Sequence, residues 1–494
     1  MRTLVLMVAM AGLVSTAQAD FGIAWQRWHD GDSACAIEVD SEGNVIVGGT
    51  SGADFLVIKY SSYGDTLWVR SLDGGDNDEF IGLAVDESDN VLVAGTSFGP
   101  GFDADYMTAK YSPAGNLLWM RKHNGIGRRL DAAHAMCVDD SGCVYVTGQS
   151  DRESLGMTRY EIGTVKYLPN GDTAWARAHG LSGSMPMASG HGLGADRSGN
   201  VYVTGDAGSL DGVFDYLTIK YAADGDTVWT RTYDSPGGDD DWPHALVVDR
   251  SGNAIVTGRG GDDFATVKYD PEGVELWAAT YDRGGTDEAR SLDVDGSGAV
   301  YVAGGASGSF ATVKYSPAGV REWSTTQLGA RACDVAVDDS AYVYVCGRGS
   351  DGYLTAVYDS AGEEQWAMRY IGMYQTSALA VAPDEQGDVY VTGIYWSSSG
   401  RDILTIKYSE DVGVELRPAA RPEKPEPRVL MVSRILELPD GVRGKLLDLS
   451  GRSVAELRPG ENDIRHAAPG VYFIREGSRV QGFEGPSRKV VIQR

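Results

Sequence analysis

The chain is poor in the residues that staple, span or grip. It has five cysteines in 494 residues, an odd number and far too few for a disulfide-built scaffold. Apolar runs end early: residues 4–14 form one, and none later is long enough to cross a bilayer as a helix. Helical 3.6-residue periodicity is absent. Basic residues are scarce as well, 43 against 70 acidic, giving a net charge of −27. Residues 421–494 carry a balance of +4, so residues 1–420 carry −31. So acidic a stretch repels a phosphate backbone, which argues against nucleic acid as a partner. It suits an extracellular surface, or cation binding where carboxylates are concentrated. No nucleophile elbow, zinc-protease helix or phosphate loop occurs.

What is present is repetition, the first thing to establish in a long chain. Residues 200–205 read NVYVTG, 215–221 DYLTIKY and 225–229 GDTVW. The glycine ending the first element recurs at Gly49, Gly95, Gly148, Gly205, Gly258, Gly304, Gly347 and Gly393. The tyrosine ending the second recurs at Tyr60, Tyr111, Tyr167, Tyr221, Tyr269, Tyr315, Tyr358 and Tyr408. Each unit reads as four short strands rich in Val, Thr, Tyr and Trp, punctuated by Asp, Gly, Ser and Asn. Asp-to-Gly turns such as 249–252 join the first two strands, the aspartate starting the turn and the glycine supplying positive φ. Eight such units spaced 43 to 57 residues apart predict an all-β chain: an eight-bladed β-propeller of four-stranded antiparallel blades.

The fourth-strand tryptophan recurs at Trp68, Trp119, Trp175, Trp229, Trp277, Trp323 and Trp366, one short of eight. Trp25 supplies the eighth if the N-terminal strand completes the last blade. A competing segment, Gly413-Val414-Glu415-Leu416, resembles the start of a fourth strand and would close blade eight itself.

The rest of the chain divides by composition. Residues 1–19 read as a signal peptide: Arg2, an apolar core, then Ala17-Gln18-Ala19. The propeller is expected over 20–408. Residues 409–428, with Pro418, Pro422, Pro425 and Pro427, suit a semi-rigid linker. Residues 429–494 read as a small β-sandwich, with strands in KLLDLSGRSVAEL (445–457), PGVYFIRE (469–476) and RKVVIQR (488–494).

These motifs carry two resemblances. VDxxGNVYVTG, TxKY and GxxxW together resemble the SBBP repeats, a family named for seven-bladed β-propellers of secreted and surface bacterial proteins, over roughly residues 23–408. The count here is eight, and unit seven has Val357 where the others carry lysine. The DLSGR turn, the GVYFI strand and the basic last strand resemble the C-terminal sorting domain of type IX secretion cargo. That resemblance implies export across both membranes, with the secretion machinery engaging 429–494. The family's Asn-Pro opening is not evident. The generic alternative is an immunoglobulin-like accessory domain.

Several groups are candidates for chemistry. Eight positions before the turn aspartate stand Asp32, Asp78, Asp131, Asp241 and Asp287. They read as ion-pair partners of Lys59, Lys110, Lys166, Lys220, Lys268, Lys314 and Lys407, since unit seven lacks both lysine and aspartate. The alternative is a carboxylate ring holding a divalent cation. The Asp-rich stretches 73–79 and 234–241 are better cation candidates, whereas DVDGSG (293–298) is one instance of the repeated turn. His134, His191 and His244 stand five before the turn aspartate and could hold a transition metal if they converge. Cys333 and Cys346 would face each other and bridge under one turn length and miss under another. Cys137 and Cys143 match less well, and Cys35 has no evident partner. The longest insertions lie between the second and third strands of units two, three and four, where Phe98, Phe102, Tyr160 and Phe214 would form a binding lip.

The function these features favour is an exported surface or secreted binding scaffold, monomeric, for a glycan or protein. The alternatives are a propeller enzyme, lyase or hydrolase or quinoprotein-like oxidoreductase, and a purely structural surface protein.

Overall fold

The computed structural model describes residues 21–410 apart from 100–102, 126–129, 155–156, 181–185, 210–211, 328, 372–375 and 398–399, and a set of strands within 430–492. Residues 1–20 lie outside it. So do residues 411–429, which take in Gly413 to Leu416 and most of the expected linker.

Eight four-stranded antiparallel sheets follow one another along the chain. Blade one consists of Ser33–Val39, Val45–Ser51, Asp54–Tyr60 and Thr66–Leu72, named here from inner to outer strand. The next six repeat that order. Blade eight takes Ser377–Pro383, Val389–Ser397 and Gly400–Ser409 from the end of the repeat region and its outer strand, Gly22–Asp30, from the beginning. Trp25 pairs with Lys407 in the register by which Trp68 pairs with Lys59. The N-terminal strand therefore completes blade eight. Inner strands of successive blades pack against one another, and those of blades one and eight close the ring.

Each sheet buries its faces against its neighbours. One apolar cluster joins Phe55, Val57 and Trp68 of blade one to Leu83, Val93 and Met107 of blade two, and similar clusters bridge the other seams. The outer-strand indole fixes the spacing. Trp68 Nε1 donates to Pro113 O of the next blade at 3.0 Å, and Trp25, Trp119, Trp175, Trp229, Trp277 and Trp323 do the same at 2.9–3.1 Å. The turn glycine of the receiving blade, Gly115 for Trp68, lies on the indole with φ +77°, where a side chain would collide with the ring.

A second repeated glycine has a different cause. Every inner strand carries a β-bulge in its ladder with the second strand, at Cys35, Ile81, His134, His191, His244, Arg290, Cys333 and Leu379. The carbonyl two residues before the bulged residue presses on the glycine of the second strand: Ser33 on Gly49, Ala132 on Gly148, and so in all eight blades. A Cβ there would overlap that carbonyl, which is why NVYVTG ends in glycine.

The repeated lysines do not meet Asp32, Asp78, Asp131, Asp241 or Asp287, so that ion-pair expectation is corrected. They turn to the opposite end of the blades. Lys59 pairs with the turn aspartate Asp40 at 2.6 Å, Lys110 with Asp86 at 2.7 Å, and Lys268 with Asp249 at 2.9 Å. Lys407 and Lys314 use Asp388 and Glu322. Lys166 and Lys220 lie over the rings of Tyr145 and Tyr202. Lys59, Lys166, Lys220, Lys314 and Lys407 also donate to the carbonyl, in the next blade, that accepts the tryptophan. Val357 stands at the seam whose following blade is closed by the N-terminal strand, so no hairpin joins that blade's third and outer strands. Trp366 lacks the same acceptor and stacks on Phe21 instead, 4.9 Å between ring centres. The seam is left as an open groove of about 1190 Å³ lined by Phe21, Trp366, Val357, Asp338, Tyr344 and Asp384.

The second unit is also all-β in its described residues. Leu430–Val432, Ser487–Ile492, Gly470–Gly477, Arg443–Leu447 and Ser453–Leu457 form a five-stranded sheet in that order, and Ile435–Leu438 pairs with Gly460–Asp463. The hairpin, the GVYFI strand and the basic last strand fall where the sequence places them.

Candidate functional site at the loop end of the channel

One end of the ring carries the tight inner-to-second turns and the lysine pairs. The other carries the connections between blades and the second-to-third hairpins, and there the chain varies. Blades one, five, six and seven have seven-residue second and third strands. Blade two extends them to Val91–Gly99 and Asp103–Tyr111, and blade three to Val144–Ser154 and Met157–Tyr167. In blade four the second strand reaches Val201–Ser209. In blade three the insertion lengthens the ladder itself, with Ser154 paired to Met157.

Of the lip aromatics, Phe98, Tyr160 and Phe214 are half-buried, and Phe102 lies outside the described residues. Phe214 is packed rather than presented, stacking on Trp242 of blade five at 5.1 Å.

The three histidines are bulge residues, and the bulge decides what they touch. The bulge side chains of Cys35, His134 and His244 reach sideways to the next inner strand, whereas those of His191 and Arg290 bond within their own blade. Cys35 Sγ contacts Phe80 O, and His134 Nδ1 bonds Gly190 O at 3.0 Å. His244 Nε2 bonds Glu288 Oε1 at 2.7 Å. His134 and His191 stack nearly parallel at 5.3 Å, and His191 Nε2 bonds Asp206. Arg290 Nη2 donates to Glu288 at 2.8 Å. The result is a polar arc over blades three to six, opposite Cys333, Leu379, Cys35 and Ile81. It is not a three-histidine metal centre: each ring has its own partner, and among the described residues the three do not gather around one point. Ser189 Oγ lies 3.1 Å from His134 Nδ1. That nitrogen must carry a proton to bond the Gly190 carbonyl, so it is no base for the serine.

Charge along the arc is set by contact. Burial, then the neighbouring His191, pushes the His134 pKa down, keeping that ring neutral. The His244 hydrogen bond, with help from Arg290, holds Glu288 at about 2.

Deeper in the channel lie carboxylates the sequence reading missed. Confinement among the inner strands, then the nearby Asp334 and Asp293, pushes Glu38 up to about 7, although its side chain stays exposed to channel water. Burial pushes Asp293 up to about 6, and Asp334 up as well. Asp334 accepts from Ser291 Oγ at 2.8 Å and Val381 N at 3.0 Å, bridging three inner strands. The signal was available: Glu38 and Asp293 share a position that is Ala84, Val247 and Ala382 in other units.

The five aspartates expected as a ring do not share one site. Each lies at or just before the start of its inner strand and caps local amides. Asp241 accepts from Ser235 N at 2.6 Å and Gly261 N at 2.9 Å, Asp287 from Ser307 N at 2.7 Å, and Asp131 from Gly125 N at 2.7 Å. Asp32 accepts from Gly52 N at 2.8 Å. Three of them belong to separate carboxylate triads between blades: Asp54, Asp73 and Asp78; Asp215, Asp234 and Asp241; Asp263, Asp282 and Asp287.

The disulfide expectation is corrected too. The ladder sets Cys346 opposite Asp334, while Cys333 is the bulged residue, and all five thiols are free. Burial pushes the thiols of Cys35 and Cys137 up to about 12, so neither is a ready nucleophile.

These features define an eight-bladed β-propeller with one elaborated end. No protein-family profile matches the chain, and no curated protein matches it by sequence. Solved structures do resemble it. The Dos1 propeller aligns over 78% of this chain and 95% of its own at 8% identity, with a TM-score of 0.51. The WD40 β-propeller domain of Doa1 aligns over 79% and 98% at 13% identity and a TM-score of 0.43. A puromycin hydrolase complexed with PGG aligns over 74% and 58% at 14% identity and a TM-score of 0.44. At such identities the likeness concerns the fold alone. No helix among the described residues is long and apolar enough to cross a membrane.

Proposed function

We propose that the chain is an exported binding scaffold whose ligand, an extracellular glycan or protein, docks at the loop end over blades two to five. One observation carries this reading: three of the four blades with lengthened hairpins, two, three and four, are consecutive and stand beside the polar arc of His134, His191 and Asp206, the fourth being blade eight. A ring that only filled space would have no reason to concentrate them on one arc. The signal-like residues 1–19 and the resemblance of 429–494 to sorting domains support delivery to the cell surface or medium by the type IX route.

Two experiments test the two halves. Replacing the hairpin tips of blades two, three and four with the tight turn of blade five should abolish binding on a glycan array or to intact cells while leaving the melting temperature within a few degrees. Undiminished binding would refute the site. Removing 429–494 should trap the protein in the periplasm, and normal release would refute the delivery route.

A further inference from the structure

One position of the repeat carries an ammonium in every blade but the seventh. The third-strand lysine stands across the ladder from a second-strand side chain, and that side chain decides where the charge goes. Where it is aliphatic, as Ile46, Leu92 and Ile255 are, the ammonium pairs with the turn aspartate. Where it is tyrosine, the ammonium lies on the ring instead. Lys166, Lys220, Lys314 and Lys407 stand 4.9–5.3 Å from the ring centres of Tyr145, Tyr202, Tyr301 and Tyr390.

Blade seven keeps this tyrosine arrangement without the lysine. Tyr344 stands across from Val357. Its hydroxyl donates to the turn aspartate Asp338 at 2.9 Å, as Tyr145, Tyr301 and Tyr390 donate to Asp139, Asp295 and Asp384 at 2.8–3.0 Å. Tyr344 is 4% exposed, whereas the four rings that carry a lysine are 0% exposed.

The second observation is the groove itself. Tyr344 and Val357 lie on the wall of the open seam of about 1190 Å³, beside Trp366 and Phe21. Asp338, Asp339, Asp384, Glu385 and Glu410 also line it, and no lysine, arginine or histidine does. Aromatic faces among uncompensated carboxylates attract a cation. The cavity between blades four and five shows the contrast. It is lined by Lys220 together with Arg197 and Arg250, so there the chain supplies its own positive charge.

We propose that the groove between blades seven and eight binds a lysine side chain of a partner protein. The incoming ammonium takes over Tyr344 the place that Lys166, Lys220, Lys314 and Lys407 take in their own blades. Lysine fits better than arginine because the repeat fills this place with a compact point charge on a flexible stem. Five carboxylates along a groove wider than one side chain suit a peptide with further basic residues rather than a free amine. The site lies at the tight-turn end of the ring, so it does not rest on the ligand proposed for the loop end.

The test is calorimetric titration of the full chain at pH 7 with a peptide of alternating glycine and lysine. The same peptide with every lysine Nε-acetylated keeps the shape without the charge and should bind at least about tenfold more weakly. V357K places the chain's own lysine in the site. It should leave the melting temperature unchanged, since the other blades already carry lysine there, and weaken the peptide about tenfold or more. Val228→Lys adds the same charge at an exposed outer strand and should leave binding unaltered. Should V357K fail to fold, Tyr344→Leu decides, since it removes the ring and should also weaken binding. No binding at millimolar peptide, or binding that neither V357K nor Tyr344→Leu reduces, would overturn the proposal. So would n-butylamine binding as tightly as the peptide, because the occupant would then be a small amine.

Discussion

Lys59→Met should destabilise the ring in a manner that depends on pH. The Lys59 ammonium and the Asp40 carboxylate meet at 2.6 Å with side chains 3% and 1% exposed. Burial alone would push the Asp40 carboxyl up. The hydrogen bonds from Lys59 and Asn44 outweigh it and hold the group below the usual carboxylate range. Methionine keeps the length of the stem and removes the charge, leaving a buried carboxylate without its cation. Orphaning one member of a buried pair costs about 3–5 kcal/mol. The lower end applies here, because Asn44 still bonds Asp40. A ring of roughly 390 residues has a melting entropy of about 0.8 kcal/mol/K, so the melting temperature should fall by about 4 °C. The sign of the pH effect follows from the pair. A depressed folded pKa contributes stability above the unfolded value near 4 and loses it as pH falls through the folded value. In the variant burial dominates and the folded pKa rises, so its deficit is full at pH 7 and fades below about pH 4. Urea unfolding at pH 7 and pH 3.5 reads both, and Lys59→Met with Asp40→Asn should recover part of the loss at pH 7. Equal losses at the two pH values, or a loss under about 1 kcal/mol, would refute the argument.

Three further outcomes follow from the fold. Gly148→Ala should cost about 1–3 kcal/mol in urea unfolding, because its Cβ would press on the Ala132 carbonyl, whereas Gly99→Ala, with only ordinary contacts, should be near neutral. Trp25→Ala should cost about 3–5 kcal/mol, and Trp366→Ala clearly less, since only Trp25 has a following turn to dock on; equal losses would contradict the account of the open seam. Glu38→Gln should stabilise the ring at pH 8, by about 1 kcal/mol once channel water is allowed for, and have no effect near pH 4. The reason is that a folded pKa raised to about 7 means stability is lost as pH climbs from about 4 to 7. A stabilisation independent of pH would show that Glu38 acts by shape.

The ring was legible in the sequence because its signals are local and repeated eight times. Tyr408, the absent eighth tryptophan and Trp25 pointed to the N-terminal strand, but Gly413 to Leu416 competed for the same place, and the pairing of Trp25 with Lys407 decided it. Partners across space were not legible. Joint absence of lysine and aspartate from unit seven suggested that they pair, yet the lysines of the other units turn to the opposite end of the blades, while Ala330 shares its seam with Ser309 and Leu328, which offer no carboxylate. Two unrelated causes fell on one unit, and a single sequence cannot separate them.

The histidines show the same limit in sharper form. Spacing placed His134, His191 and His244 at equivalent positions on consecutive inner strands, and it was correct. Equivalent positions on a ring, however, point to equivalent neighbours and not to one centre. The bulge turns His134 and His244 along the ring, so that His134 meets Gly190 and His244 meets Glu288 of the next blade, while His191 bonds Asp206 of its own. The same rule separates the carboxylates that read as one ring into three seams. In a propeller, a residue type repeated by unit builds sites between blades. A site on the axis needs residues that differ from unit to unit, as Glu38, Asp293 and Asp334 do.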